Sequence, residues 1–355
     1  MEHRDPLRDL DVTLDRDGHG ALSHGLGDVY VAVDVESLDR DEKVAGGDAA
    51  RVVGDAGDLN LSVALEHGAG AAGEIGQLHI ESEDNRLVIA EIGAGRFEWG
   101  ARTYVMGIVN VTPDSFSGDG LGGDAEAAVA QGLRMVGEGA DMLDVGGEST
   151  RPGHVPVTAA EEISRTEAVV QRLARESGVP VSIDTCKEEV AAAGIAAGAT
   201  ILNDVWGLTR SPAIAELAAR HGCGLVVMHN QDGTEYADLM AEVKRFLRDA
   251  TARAIAAGVP REKVIVDPGI GFGKTADQNW EVMRRFSELT EIGQPILIGT
   301  SRKSFIGTLL DLPVADRLEG TTATVVGAVL RGADIVRVHD VRQMVRAVRV
   351  ADRMR

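Results

Sequence analysis

From residue 103 onward, eight short apolar runs each end in a residue able to do chemistry. The endings are Asn110, Asp144, Asp184, Asn203 with Asp204, His229, Asp267, the stretch 301–303, and Arg337 with His339. Any one of them reads as a helix N-cap for the segment that follows, and Asp184 before "TCKEEV" suits that role well. Capping does not account for eight endings with this mix of acids, amides and bases. Asp184, Asn203 and Asp267 offer acceptors and an amide to a small cavity. That set suits a flat heterocycle with amidine-like N–H donors, which pairs with carboxylates as a guanidinium does. Lys303, Arg337, His339 and Asn110 suit an anion, most simply phosphate or diphosphate. Three loops adjoin these ends. "NVTPDSFSGDG" (110–120) follows the first run, and "GGESTRPG" (146–153) has the composition of a mobile lid, with two hydroxyls and Arg151. "DPGIGFGK" (267–274) brings backbone N–H groups and Lys274 near the same mouth, without full P-loop spacing.

The runs themselves are "TYVMGIV" (103–109), "DMLDVG" (141–146), "PVSIDT" (180–185), "ATILNDV" (199–205), "GLVVMH" (224–229), "KVIVDPG" (263–269), "PILIGTS" (295–301) and "DIVRVHD" (334–340). Their nearly continuous apolar character fits parallel strands buried on both faces. Between them lie Ala/Glu/Arg-rich segments with helical spacing, several ending in "EGA", "ESG", "AAG" or "RHG", where glycine takes a left-handed cap. Eight strand–helix units over some 250 residues predict an α/β fold, a (β/α)8 TIM barrel whose strand C-termini converge on one mouth. An open doubly wound sheet is the lesser alternative, because no GxGxxG follows the first run.

The first 95 residues have another texture. They contain one aromatic residue (Tyr30), one proline (Pro6) and no cysteine, and among them only pieces such as "VYVAVDVES" show strand-like alternation. The chain's net charge of −20 is concentrated at this end: residues 1–100 hold 22 acidic and 8 basic side chains, residues 101–355 hold 34 and 28. We divide the chain into an N-terminal extension of unknown role (1–95) and a catalytic domain (96–355). The extension reads as disordered or as translated from upstream of the true start, with a small accessory domain as the third reading. The acidity argues against nucleic-acid binding. No run of about 18 apolar residues could span a bilayer, and the first thirty residues lack a signal peptide's layout, which points to the cytoplasm. Cys186 and Cys223 are too few for a disulfide framework and lack metal-ligand spacing. Trp206 and Trp280 read as packing residues, and the scattered N-terminal histidines show no ligand spacing.

Taken in order, "MGIVNVTPDSFSGDG", "DVGGESTRPG", "SIDT", "LNDVWG", "VVMHN", "VDPGIGFGK", "GTSRKSFIG" and "RVHDV" resemble the dihydropteroate synthase family over residues 97–355. The resemblance implies a pterin-binding TIM barrel, commonly a homodimer and a sulfonamide target. Its reaction condenses 6-hydroxymethyl-7,8-dihydropterin diphosphate with 4-aminobenzoate, with Mg2+ as cofactor. It implies that Asp184, Asn203 and Asp267 hydrogen-bond the pterin ring, with Lys303 along its face and Met228 as an apolar wall. Asp184, Asp267 and Lys303 would carry the catalysis. Asn110 would bind Mg2+ with the diphosphate, and Arg337, His339 and Arg151 would hold that anion. Ser304 would meet the 4-aminobenzoate carboxylate, and Thr150, Pro152, Phe116 and Phe272 would wall its ring. The family's loop usually has an acid directly after the second serine; here Gly118 stands there and the acid is Asp119. Methyltetrahydrofolate-dependent methyltransferases share the barrel but hold no diphosphate, and the full motif set disfavours them. A pterin-binding paralogue without catalysis is the remaining alternative.

Overall fold

The computed structural model describes residues 88–111, 125–148 and 156–355, and the backbone of six strands nearer the N-terminus. Those strands are β1 (Val12–Leu14), β2 (His19–His24), β3 (Gly27–Ala32), β4 (Ala50–Val53), β5 (Asn60–His67) and β6 (Ala71–His79). They pair antiparallel in the order β3-β2-β1-β4-β5-β6, and β3 carries part of the alternating "VYVAVDVES". The chain divides into compact units at Arg86 and Leu87.

The second unit begins with a hairpin, β7 (Val88–Ile92) and β8 (Gly95–Trp99), and continues as eight parallel strands. These are β9 (Tyr104–Asn110), β10 (Met142–Gly146), β11 (Val181–Asp184), β12 (Ile201–Asp204), β13 (Gly224–Met228), β14 (Val264–Asp267), β15 (Leu297–Ile298) and β16 (Ile335–Val338). Helices α1 (Ala125–Gly137), α2 (Ala159–Glu176), α3 (Glu188–Ala196), α4 (Ala213–His221), α5 (Leu239–Ala256) and α6 (Ala276–Arg284) follow the first six strands in turn. α7 (Ser304–Leu310) and α8 (Leu318–Val329) lie between the last two strands, and α9 (Val341–Ala351) ends the chain. The sheet order β14-β13-β12-β11-β10-β9-β16-β15 is closed by a parallel bridge between Val266 and Ile296. All eight apolar runs are barrel strands.

Helix ends follow local chemistry. Thr275 and Gln278 form a reciprocal capping box at the start of α6. Gly222 ends α4 at φ 66°, a left-handed conformation that a side chain would strain.

Strand alternation divides the apolar residues between two cores. Val105, Leu143, Ile183, Leu202, Leu225, Val266 and Val336 pack outward against the helices. Met106, Met142, Ile201, Val226, Ile265, Leu297 and Ile335 fill the barrel interior together with Ala90, Ile92, Phe97 and Trp99 of the hairpin. Two residues beyond the interior positions Met142, Ile201, Val226, Ile265 and Ile335 stand Asp144, Asn203, Met228, Asp267 and Arg337, and Asp184 follows Ser182 in the same way. Period two thus turns the inner face from apolar to polar within one step along β10, β12, β14 and β16.

The hairpin seals the opposite end of the barrel. Phe97 stacks on Trp99 with centroids 5.2 Å apart, and Tyr104 meets both rings edge-on. The Trp99 indole donates to the Glu262 carbonyl at 3.0 Å, at the start of β14. Each large apolar side chain so buried contributes about 1.5–3 kcal/mol. The domain boundary therefore falls at 86/87 and not at 95/96. The short, turn-bounded "VIAEIGAGRFEW" supplies the plug, a role its spacing alone does not reveal.

Candidate active site

The barrel mouth carries the polar inner residues in a fixed register. Asp184 pairs with Asn203 across β11–β12, and Met228 with Asp267 across β13–β14. Asp184 does not cap a helix: α3 starts after Lys187, and no side chain caps it. Asp204 instead faces its own loop, where it accepts the backbone N–H groups of Trp206 (2.9 Å) and Leu208 (2.6 Å), so its role is the bland one.

Arg337 ties the cluster together. Its Nε donates to Asp144 Oδ2 at 2.6 Å and its Nη2 to Asp184 Oδ2 at 2.9 Å. Asn203 Nδ2 donates to the same Asp144 oxygen at 3.0 Å. Asp144 Oδ1 and Asp184 Oδ1 are buried without a hydrogen-bond partner among the described residues. Burial, with the neighbouring Asp144 charge adding to it, pushes the Asp184 carboxyl up to about 8 against the pull of Arg337. Asp267 is also raised by burial, opposed by the Lys303 charge and by the Gly269 N–H, which donates to its Oδ1 at 2.7 Å. Burial lowers the Lys303 ammonium to about 8 despite Asp267. Burial also opposes the Arg337 charge, but Asp144 and Asp184 outweigh it and the guanidinium stays protonated.

Lys303 donates to the Ile270 carbonyl, and its Nζ lies 4.7 Å from the centre of the Phe272 ring. It stands just before α7, so Ser304 opens that helix, exposed at the rim. The turn that carries Lys303 is braced by Arg302, which binds Asp340 through two guanidinium nitrogens at 2.5 and 3.0 Å. Ser301 Oγ accepts the His339 N–H at 3.2 Å and lies 3.0 Å from His339 Nδ1. The hydroxyl keeps a second lone pair, so its direction toward Nδ1 follows the His339 tautomer. Asn110 ends β9, half-buried.

Beneath "DPGIGFGK", Lys274 donates to the Gly269 and Phe272 carbonyls, each at 3.1 Å, and lies 2.9 Å from His229 Nδ1. Burial and the Lys274 charge hold His229 down to about 3, so it is a neutral acceptor. Gly269 has φ 70°, and a Cβ there would collide with the His229 carbonyl oxygen. Lys274 thus serves the turn from inside, whereas composition had set it at the mouth. Trp280 packs edge-on against Phe305, and Trp206 lies under the Arg210 guanidinium at 3.5 Å.

Asp184, Asn203, Met228, Asp267, Lys303 and Arg337 come together at the mouth, with Phe272, His339, Ser304 and Asn110 on elements around it. Phe116, Thr150, Arg151 and Pro152 lie outside the described residues, as does the Gly118–Asp119 pair. Sequence reasoning left Asp144, Arg302 and Asp340 out of the site. Asp144 was visible as a strand-end acid, and its place two residues after Met142 is the signal that sets it on the inner face.

The described residues hold no group of three or more His, Cys, Asp or Glu side chains able to bind a metal ion. A magnesium ion at this mouth would therefore draw on Asn110 Oδ1 and on oxygens of a bound anion. That donor set fits Mg2+, which commonly takes one or two protein oxygens beside substrate phosphates.

The model of the pterin binding enzyme family matches residues 106–339. A dihydropteroate synthase of Clostridium beijerinckii is 48% identical over 263 residues, which cover 74% of this chain and 98% of that protein. Among solved structures, a Clostridium difficile dihydropteroate synthase in the presence of pteroic acid superposes with a TM-score of 0.71 at 47% identity, covering 73% of this chain and 98% of that one. A Xanthomonas albilineans dihydropteroate synthase with 4-aminobenzoic acid gives 0.68 at 44% identity, covering 71% and 93%. With its barrel, its ordered strand ends and these likenesses, the chain belongs to the dihydropteroate synthases, a family of pterin-binding enzymes.

Proposed function

We propose that the barrel mouth condenses 6-hydroxymethyl-7,8-dihydropterin diphosphate with 4-aminobenzoate, giving 7,8-dihydropteroate and diphosphate. The observation that carries the reading is the inner-face set Asp184, Asn203 and Asp267 with the Lys303 ammonium beside it. Those groups match the N–H donors and acceptors along the edge of a pterin, and Met228 supplies an apolar wall. The buried unpartnered Oδ1 of Asp184 is an acceptor suited to a ligand N–H.

Departure of diphosphate leaves positive character on the pterin methylene carbon. Asp267, and Asp184 in its ionised form, are the negative neighbours of that charge. Arg337 and His339 would hold the leaving anion, with Arg151 joining from its loop. Asn110 would hold Mg2+, which neutralises diphosphate charge when bound. The uncharged arylamine forms the new C–N bond on the opposite side and then gives up a proton to solvent. Its needs are position and water exclusion, for which Ser304 would hold the carboxylate and Phe116, Thr150, Pro152 and Phe272 would wall the ring.

We further assign the chain to the cytoplasm, as a homodimer inhibited by sulfonamides. Among the described residues no helix is long and apolar enough to cross a membrane. Residues 1–86 are proposed to be dispensable for the chemistry. The test is a coupled diphosphate-release assay. Release that requires both substrates supports the reading; pterin diphosphate binding without release would favour a non-catalytic pterin-binding protein.

A further inference from the structure

Asp144 is the most deeply buried of the three carboxylates on the inner face, with no exposed surface, against 8% for Asp184 and 7% for Asp267. It has no assigned contact with either substrate. Its Oδ2 accepts from Arg337 Nε at 2.6 Å and from Asn203 Nδ2 at 3.0 Å. A carboxylate accepts only, so it can take an amide's nitrogen but not its oxygen. The Asn203 amide is therefore held one way round, with its oxygen left as the acceptor for a ligand. The same oxygen anchors the Nε side of Arg337, while Asp184 anchors Nη2 at 2.9 Å. Two anchors on adjacent strands hold the plane of the guanidinium, which one anchor would leave free to turn.

We propose that Asp144 is a positioning residue, whose single oxygen orients both the Asn203 amide and the Arg337 guanidinium for the pterin diphosphate. The proposal rests on the reading of this mouth as a pterin diphosphate site. A residue that only offset the charge of Arg337 would give the same burial but would not set the Asn203 amide.

The test is Asp144→Asn in the full chain, assayed for diphosphate release with each substrate varied. Asparagine keeps the shape but loses the charge and one of the two acceptor oxygens. Loss of a hydrogen bond to a charged group predicts a fall in kcat/KM for the pterin diphosphate of about 10- to 100-fold. KM for 4-aminobenzoate should stay within about twofold. Binding of the pterin alcohol without its diphosphate should weaken as well, because the Asn203 amide is then free to turn.

The second readout is the pH profile. The charged groups facing Asp184 are Asp144 from β10, Arg337 from β16, Glu162 from α2, Asp204 from β12, and Lys303 ahead of α7. Removing the Asp144 charge should move the acid limb of kcat/KM to lower pH, a change that altered packing alone does not produce. Asp144→Ser is smaller and neutral, and it carries the same test where Asp144→Asn does not fold. A folded variant with unchanged kcat/KM and an unmoved pH profile would overturn the proposal. So would an equal loss toward both substrates. Failure of the functional reading would show separately, as wild-type protein that releases no diphosphate.

Discussion

Lys274 stores a pH dependence that one substitution should remove. Its ammonium is only 9% exposed and serves two carbonyls and the His229 ring beneath the 267–274 turn. Burial, joined by the Lys303 charge and opposed by Asp267, lowers it from the ordinary 10.5 to about 7. In the unfolded chain the same amine holds its proton to about pH 10.4. Between about pH 7 and 10 the unfolded state therefore binds more protons than the folded one, so stability rises with pH across that window. The slope is half its full value of about 1.4 kcal/mol per pH unit at pH 7, where the folded group is half-titrated, so the rise from pH 7 to 9 is roughly 2.3 kcal/mol. For a domain of this size that corresponds to roughly 5 °C in Tm. Lys274→Met keeps the length of the side chain and deletes the proton. The two carbonyl hydrogen bonds that a neutral amine also makes are lost with it and add an offset independent of pH. Thermal melts of both proteins at pH 7, 8 and 9 should show the wild-type Tm rising relative to that of the variant by about 5 °C. A gap that stays constant would mean that Lys274 keeps its proton throughout, and the reasoning fails.

Other perturbations separate the plug, the anion and the turn. A chain starting at Val88 should keep wild-type kcat/KM in the diphosphate-release assay. One starting at residue 96 loses Ala90 and Ile92 from the plug and should melt lower, with a cost of about 2–5 kcal/mol for the Ile92 side chain alone. His339→Gln should raise KM for the pterin diphosphate about tenfold while leaving binding of the pterin alcohol within about twofold, measured by calorimetry. Gly269→Ala meets the His229 carbonyl at a left-handed φ, so urea unfolding should show a loss of more than about 1 kcal/mol, together with reduced activity as the turn under Lys303 shifts.

The strands and their polar ends were legible because each run is short, nearly all apolar and followed by helical spacing. Closure into a barrel gives every such run the same two environments, and that is a pattern one chain can display. What escaped was whatever depends on the direction of a side chain. Asp144 and Asp204 both end apolar runs, yet one faces inward to Arg337 and the other outward to its own loop. Lys274 and Lys303 both sit near strand ends, yet one is drawn under its turn by three acceptors and the other lies over Phe272. The hairpin was missed for another reason. Five-residue strands with apolar residues on one face look like any turn-rich linker until a barrel end is present to receive Ile92, Phe97 and Trp99.

These differences share one physical cause. In a closed parallel barrel the inner face is set by parity along each strand, and parity is counted from a neighbour's register. Met142 is inner because it pairs with Met106, and Ile201 because it pairs with Ser182, so Asp144 and Asn203 are inner two residues later. Once one strand is set, the parity of all eight follows, and with it the division of polar residues between mouth and loop. The same rule explains why the site tolerates so much charge. Asp144, Asp184, Asp267, Lys303 and Arg337 stand one step above an apolar core, and Arg337 pairs with Asp144 and Asp184 at short range. A substitution in that lower layer, such as Met142 to a smaller residue, would admit water beneath Asp144 and weaken the pairing from underneath without touching a single polar group.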